Sequence, residues 1–377
     1  MQLTRQLKIA KTEQLDRLAH EAGIVYSQTL VYYRRILRKK SIFLSKSSMQ
    51  KLVRNKSLHS QTVQGITDIF YDNLASYWKL HKTDKQARLP KRRKWYFVLP
   101  YKSSAIRLQD NKLILSNGKS NAPLVLDWTF DKPDFVRISF DGKKYVINAV
   151  YDIAVNNTQK DGLTAGIDLG EIHLAVANIG EKTIIINGRA LRSKRRYQNK
   201  VKGKFQQRLS EHKKGSRKYK QLNHKKKQVL KRLDNQIKDI LHKQTTKLVQ
   251  TLKSNDVCTV AIGDVRDIRK NVDYTKKANQ KIHQMPTGQV RAMIEYKCEL
   301  YGINTVVINE AYSTRTCPKC LKRNAKPKDR NYRCKFCGFE YHRDGVGAIN
   351  IRQKQMYREY APVVGVMTPP IGIRYVV

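Results

Sequence analysis

Acidic residues are scarce in this chain. Asp plus Glu number 30 against 76 Lys plus Arg, which leaves a formal net charge of +46. A chain with that excess repels itself unless a polyanion neutralises it. Nucleic acid is therefore the expected partner, ahead of a merely soluble basic protein or a basic membrane-surface protein. Long apolar runs are also missing. No stretch is long enough to span a bilayer, and Met1 to Ala10 lack the apolar core of a secretory signal. Cysteine is sparse too, with six residues, four of them in two CxxC pairs. Without a secretion signal, that spacing indicates metal binding in a reducing cytosol and excludes a disulfide framework. The expected location is cytoplasmic, and at the nucleoid when bound to DNA. What is present is ample: 377 residues, 40% hydrophobic, suffice for two or three domains with a sizeable core.

Residues 1–10 alternate weakly and predict one strand. From Thr12 to about His81 the period is helical: Leu15, Leu18, Ala19, Ala22 and Val25 share one face, and Ile66, Ile69, Phe70 and Leu74 recur about a turn apart. Lys82 to Lys94 is a basic connector containing Pro90. From Trp95 to Asp152 the period becomes two, with strand cores at Trp95/Phe97, Ile106/Leu108, Leu113/Leu115, Leu124/Leu126, Val136/Ile138 and Tyr145/Ile147. Such evenly spaced short strands predict a small antiparallel barrel, here with a helical block inserted after its first strand. Asn156 to Asp161 reads as a linker. Beyond it, three strand-like runs (Thr164–Asp168, His173–Asn178, Thr183–Ile186), then helix, strand (Val257–Ile262), helix (Thr287–Leu300) and strand (Thr305–Asn309) predict a mixed α/β sheet of ribonuclease H type.

Arg189 to Arg232 carries 19 Lys or Arg against one acid, Glu211. Surface helices normally mix signs for mutual support. The near-absence of acids therefore favours contact with a phosphate backbone over a freely solvated face. The candidate contacts are Arg192, Arg195, Arg196, Lys225, Lys226 and Lys227.

Cys317-Pro-Lys-Cys320 and, thirteen residues on, Cys334-Lys-Phe-Cys337 form two knuckles. Together they can complete one tetrahedral Zn²⁺ site with Zn–S near 2.3 Å. Four thiolates leave no position for water, so this zinc is structural. Gly338 suits the tight backbone after the second knuckle, whereas Leu321 holds the equivalent place in the first. Cys258 and Cys298 fall in a strand and a helix and read as core residues. Two acids stand in unusual settings. Asp168 ends the apolar run Ala165-Gly-Ile-Asp168-Leu-Gly170, and Asp344 precedes a helical run in His342-Arg-Asp344-Gly-Val-Gly-Ala-Ile-Asn350-Ile. An acid in an apolar strand is costly unless it is paired or binds metal. Taken singly, Asp168 also fits a strand-end turn and Asp344 a helix N-terminus.

Taken together and in this order, the Gly166–Gly170 motif, the ribbon introduced by Ser313-Thr-Arg-Thr-Cys317, and the motif from His342 to Ile351 resemble TnpB, the transposon-encoded RNA-guided DNA endonucleases related to type V CRISPR effectors. Asn279-Gln-Lys-Ile-His-Gln-Met-Pro-Thr-Gly288 resembles a segment of one branch of that family. The motif resemblance covers roughly residues 150 to 352, and residues 1–150 match in architecture alone. It implies a RuvC fold in which three carboxylates hold two divalent ions, Mg²⁺ or alternatively Mn²⁺. Such ions lie about 3.5–4 Å apart and promote phosphodiester cleavage. Asp168 matches the first acid and Asp344 the third. The family's second acid, a glutamate, aligns with Gly263. Asp264 is one residue on, which turns its side chain to the other face of an ideal strand. Glu310 ends the run Thr305-Val-Val-Ile-Asn-Glu310. In a ribonuclease H layout that run lies parallel to the strand of Gly263, so the two ends meet at one sheet edge. Glu310 is the preferred replacement and Asp264 the alternative.

The resemblance implies these divisions: a wedge-like β-barrel of residues 1–10 and 90–155; a helical recognition insertion, 11–89; a RuvC-like domain, 160–311, with a basic helical segment, 189–253; a zinc ribbon, 312–341; the last RuvC part, 342–360; and a C-terminal tail, 361–377. The implied partners are a guide RNA and target double-stranded DNA, with no membrane. Two other functions remain open. Gly263 makes a nuclease-inactive, guided DNA-binding repressor thinkable. A transposase acting by itself fits less well, since no paired-histidine motif with a tyrosine nucleophile is visible.

Overall fold

Thr12 opens the first helix by accepting the Leu15 amide on its side-chain oxygen at 3.3 Å. This satisfies one of the N–H groups a helix start leaves orphaned. The computed structural model describes all residues except 94, 120, 156–160, 267–274, 326, 328, 364–366 and 374–377. The expected linker thus lies mostly outside the described residues. The chain divides into two compact units, Met1–Ala154 and Val155–Val377.

In the first unit, β1 (Gln2–Ile9) is followed by α1 (Glu13–Lys40), α2 (Lys46–Leu52) and α3 (Ser60–Thr83). The apolar face read from the sequence is the buried one: Leu18, Ala19, Ala22 and Val25 on α1, Ile66 and Phe70 on α3. The strands that follow are β2 (Leu99–Lys102), β3 (Ile106–Gln109), β4 (Lys112–Leu115), β5 (Leu124–Asp127), β6 (Phe135–Phe140) and β7 (Tyr145–Asp152). β1 pairs antiparallel with β7 along its whole length, from Gln2↔Asp152 to Ile9↔Tyr145. Three helices thus separate the first strand from the other strands of its sheet. Among the described residues the strands form two antiparallel sheets, β1-β7-β6-β2 and β3-β4-β5. Trp95 and Phe97 lie outside both. Tyr96 between them has a φ of 55°, which breaks the extended alternation, and the Phe97 amide bonds the Ala19 carbonyl of α1 instead.

The second unit is built on a six-stranded sheet of order β12-β11-β8-β9-β10-β15. β8 (Leu163–Asp168), β9 (His173–Ile179) and β10 (Lys182–Asn187) form an antiparallel meander. β11 (Val257–Gly263) runs parallel to β8, and β12 (Asn304–Ile308) parallel to β11, with Gly263 opposite Ile308. This is the mixed sheet the sequence predicts. β15 (Ile371–Ile373) adds a parallel strand beside β10, so the segment read as a tail contributes to the sheet. A three-residue strand containing Gly372 gives no periodic signal.

The basic segment is two helices, α4 (Arg189–Ser210) and α5 (Arg217–Lys253). Gly215 turns the chain between them at a φ of 92°. Only Leu191 and Leu209 are buried on α4, and the first buried residue of α5 is Leu233. α6 (Lys276–His283) and α7 (Thr287–Leu300) precede β12, and the small hairpin β13 (Asn331–Arg333) and β14 (Glu340–His342) leads into α8 (Arg343–Tyr357). α8 packs directly on β8. A Cβ on Gly166 would lie 2.2 Å from the Ala348 carbonyl oxygen, backbone against backbone. Only glycine permits that approach, and it brings the start of α8 to the end of β8. No helix among the described residues is long and apolar enough to cross a membrane.

Candidate active site and the four-cysteine cluster

The sulfurs of Cys317, Cys320, Cys334 and Cys337 all lie within 4.8 Å of one another. Cys317 Sγ is 3.6 Å from Cys337 Sγ, and Cys320 Sγ is 3.6 Å from Cys334 Sγ. Four thiolates held tetrahedrally about 2.3 Å from Zn²⁺ stand roughly 3.8 Å apart, so the donor set fits that ion. Asn324 supports the cluster. Its Nδ2 donates to the Tyr332 hydroxyl at 2.8 Å and to Cys334 Sγ at 3.5 Å, and its Oδ1 accepts the Lys335 amide. Burial pushes the Cys317 thiol up to about 12. Cys334 goes the other way, to about 6, because the donors from Asn324 and backbone amides outweigh its burial. After each knuckle the backbone is left-handed, at Gly338 with φ 70° and at Leu321 with φ 60°. Leu321 thus adopts the conformation for which glycine is suited. Cys258 and Cys298 are buried in β11 and α7, as expected.

Asp168, Glu310 and Asp344 come together at one edge of the large sheet. Asp168 ends β8, and its carboxyl is pushed well above the usual range by burial and by the charges of Glu310 and Asp344. It occupies room left by Gly347 of α8, where a Cβ would lie 2.6 Å from Asp168 Oδ2. Glu310 follows β12. Burial and the Asp264 charge push its carboxyl up to about 7, and its Oε2 is buried without a hydrogen-bond partner. A Cβ on Gly263 would lie 2.5 Å from that oxygen.

Asp344 differs. Burial would raise its carboxyl, but His173, Arg330 and Arg343 hold it down at about 2. Its Oδ2 accepts from His173 Nδ1 at 2.9 Å and from Arg330, and its Oδ1 from Arg343 at 3.2 Å. The alternative acid, Asp264, is engaged elsewhere. Arg266 Nε reaches its two oxygens at 3.0 and 2.8 Å, and Arg291 lies 3.8 Å away. The Arg266 hydrogen bonds hold Asp264 below the usual carboxylate range.

Sequence reasoning missed the surroundings of Asp344. His173 opens β9, with Arg330 just before β13, and the ligand atoms of His173, His342 and Asp344 lie within 4.8 Å of one another. A histidine at the head of an otherwise apolar strand, five residues after Asp168, was the available signal. Among the basic residues, Arg192 pairs with Glu171 at 2.9 Å, Arg196, Lys225 and Lys227 are exposed, and Arg195 and Lys226 are half-buried.

Known proteins resemble this chain in sequence and in fold. Residues 147–269 match the family model described as "Probable transposase", of the OrfB group, and residues 288–351 match the model described as "Cas12f1-like, TNB domain". The chain is 28% identical over 279 residues to a Streptomyces pristinaespiralis protein described as an RNA-guided DNA endonuclease, covering 72% of this chain and 65% of that one. It is 25% identical over 120 residues to a TnpB-like protein of Methanocaldococcus jannaschii, covering 31% of this chain and 42% of that one. The chain is thus similar to proteins described as RNA-guided DNA endonuclease and as TnpB-like. The match spans less than two thirds of either relative. Among solved structures, the chain is similar in fold to Cas12f1 from a complex with single-guide RNA and target DNA. That match has a TM-score of 0.65 and 14% identity, over 91% of this chain and 82% of the other. A second likeness is to the mini RNA-guided endonuclease Cas_phi3, with a TM-score of 0.52 and 9% identity, over 97% and 93% of the two chains.

Proposed function

We propose that this protein is an RNA-guided DNA endonuclease of a transposon, and that Asp168, Glu310 and Asp344 are its catalytic carboxylates. Guide RNA pairs with one strand of target double-stranded DNA, and the basic protein holds the duplexes by their backbones. The observation that carries the reading is the unpartnered, buried Glu310 Oε2 in the space beside Gly263. A buried carboxylate oxygen without a donor is costly, and a cation would satisfy it. The same cation would relieve the crowding that raises Asp168 and Glu310.

Two Mg²⁺ ions, or Mn²⁺ in their place, suit such oxygen donors and would supply Lewis acidity toward the scissile phosphate. The chain's own share is positioning. Gly347 and Gly263 leave room for the carboxylates of Asp168 and Glu310, while His173 orients Asp344 and keeps it ionised. The ribbon would carry one structural Zn²⁺ on Cys317, Cys320, Cys334 and Cys337. The wedge-like barrel with its helical recognition insertion is proposed for the first unit, supported by the pairing of β1 with β7 around the helices.

A second reading keeps the guide and loses the chemistry: a DNA-binding repressor. Arg330 and His173 on the Asp344 carboxylate favour it, since they occupy a candidate metal ligand. Loading the protein with its guide and a matching plasmid in Mg²⁺ separates the two. Nicked or linear product, lost in Asp168→Asn, supports the endonuclease. Binding without cleavage in Mg²⁺ and in Mn²⁺ supports the repressor.

A further inference from the structure

Beside the carboxylates, the second unit contains a cavity of about 740 Å³, within the roughly 300–1,000 Å³ of small-ligand sites. Its walls come from the first turns of α4, from α6 and the turn after it, and from Gly170 and Glu171. That lip is two residues beyond Asp168. The second wall is the segment from Gln280 to Pro286, which the carboxylate site leaves without a role.

The lining has three chemistries in one place. Six cations (Arg189, Arg192, Arg195, Arg196, Lys200 and Lys281) face a single carboxylate, Glu171, which is already paired with Arg192. The Nε of Arg195 is buried without a hydrogen-bond partner. Leu174, Leu191 and Met285 are buried and give the cavity an apolar floor. Between them Asn199 and Gln284 bond each other reciprocally, Asn199 Nδ2 to Gln284 Oε1 at 2.8 Å and Gln284 Nε2 to Asn199 Oδ1 at 3.1 Å. A paired amide presents a donor next to an acceptor, the pattern a nucleobase edge also offers. A base edge could therefore take the place of one amide on the other, the displaced amide turning to water, since both residues are only half-buried.

We propose that this cavity receives one unstacked nucleotide of a single nucleic-acid strand. Its phosphate lies on Arg195 and Arg196, its base against Leu174, Leu191 and Met285, and its base edge on Asn199 or Gln284. A site for a phosphate alone would need no apolar floor, and a site for an apolar ligand would not be ringed by guanidinium groups. The inference rests on the endonuclease reading only for where the strand leads: the cavity lip would hand the strand toward Asp168. The occupant is a nucleotide of either DNA or RNA.

The test uses the full chain without guide and in chelator, so cleavage plays no part and the failure of the endonuclease reading would not be mistaken for failure here. Anisotropy titrations compare ten-residue oligodeoxyadenylate with an abasic strand carrying the same phosphates. A single base seated in the cavity should make wild type prefer the base-bearing strand by about tenfold, equivalent to about 1.4 kcal/mol. Ser193 lines the cavity and is exposed on α4. Ser193→Trp fills the space, removes no charge, and should bring that preference close to parity with the salt dependence unchanged. Gln284→Leu keeps the volume and should lower it several-fold. Zero-length photocrosslinks from a 4-thiothymidine DNA strand and a 4-thiouridine RNA strand should map to residues 280–286, and the stronger arm identifies which strand is held. An unchanged preference in both variants, or crosslinks confined to other regions, overturns the proposal.

Discussion

The carboxylate of Glu310 fills the space in which a side chain on Gly263 would begin. A Cβ there would stand 2.5 Å from Oε2 and 2.9 Å from the Ile351 side chain. Gly263 ends β11 and Glu310 stands two residues beyond the end of its parallel neighbour β12, so a carboxylate reaching the sheet edge from one segment excludes a side chain from the other. This reciprocity is what the departure at Gly263 means physically. It predicts that Glu310→Gln eliminates cleavage while guided DNA binding persists, and that Asp264→Asn retains most activity. It also predicts that Gly263→Glu is inactive alone and recovers activity in combination with Glu310→Ala. Plasmid cleavage by the guide-loaded variants decides. Loss of activity in Asp264→Asn with retention in Glu310→Gln would move the role to Asp264.

Much of the fold is legible in the sequence. The CxxC spacing marks the four-cysteine cluster, because knuckle geometry is local. The short apolar runs and the helical pattern place β8 to β12 and α7, because β9 and β11 are buried along nearly their whole length and α7 buries one face. What is illegible depends on approaches between distant residues. Gly263 reads as a missing acid until Glu310 is seen in its place. The donors around Asp344 come from β9 and from the ribbon, 171 and 14 residues away in sequence. Trp95 and Phe97 fit a strand by alternation, and the left-handed Tyr96 between them leaves no sequence trace.

The ribbon should carry about one zinc per chain, since four thiolates close a tetrahedral site. Cys334→Ser should abolish the metal and destabilise the ribbon, with metal content by atomic emission as the measurement. Zinc retained in the variant would refute the assignment. The left-handed Leu321 adds a finer expectation. Strain in that conformation is about 1–2 kcal/mol for a residue with a side chain, partly offset by the greater freedom of glycine in the unfolded chain. Leu321→Gly should therefore slow zinc loss to a chelator, and Gly338→Ala should speed it.

The hairpin of α4 and α5 exposes cationic residues that no core requires, because burial on α5 begins at Leu233. Replacing Lys225, Lys226 and Lys227 by Gln should weaken nucleic-acid binding about equally for all sequences. The slope of log K against log salt should shrink by up to about 0.7–0.9 for each phosphate that is no longer neutralised. A slope identical to wild type would make this a solvated surface.

The last prediction concerns pH in the absence of divalent ions. Glu310 has a folded-state pKa of about 7 against an ordinary value of 4.5. Between those two values the folded protein holds a proton that the unfolded chain releases. Stability therefore falls as pH rises from about 4.5 through 7. Asp168, pushed well above its ordinary 3.8, acts in the same direction. Asp344, held at about 2, is ionised in both states across this window and contributes no slope there. Its stabilisation would be lost only as pH falls through its ordinary 3.8 toward 2. Other groups titrate as well, so the informative quantity is the difference between wild type and Glu310→Gln in melting temperature. In chelator, wild type should lose ground to the variant as pH rises from 5 to 8. Mg²⁺, which binds the ionised carboxylates of the folded state alone, should reverse that trend and stabilise wild type increasingly with pH. Parallel pH profiles for the two proteins in chelator, with no Mg²⁺ effect specific to wild type, would remove Glu310 from the metal site.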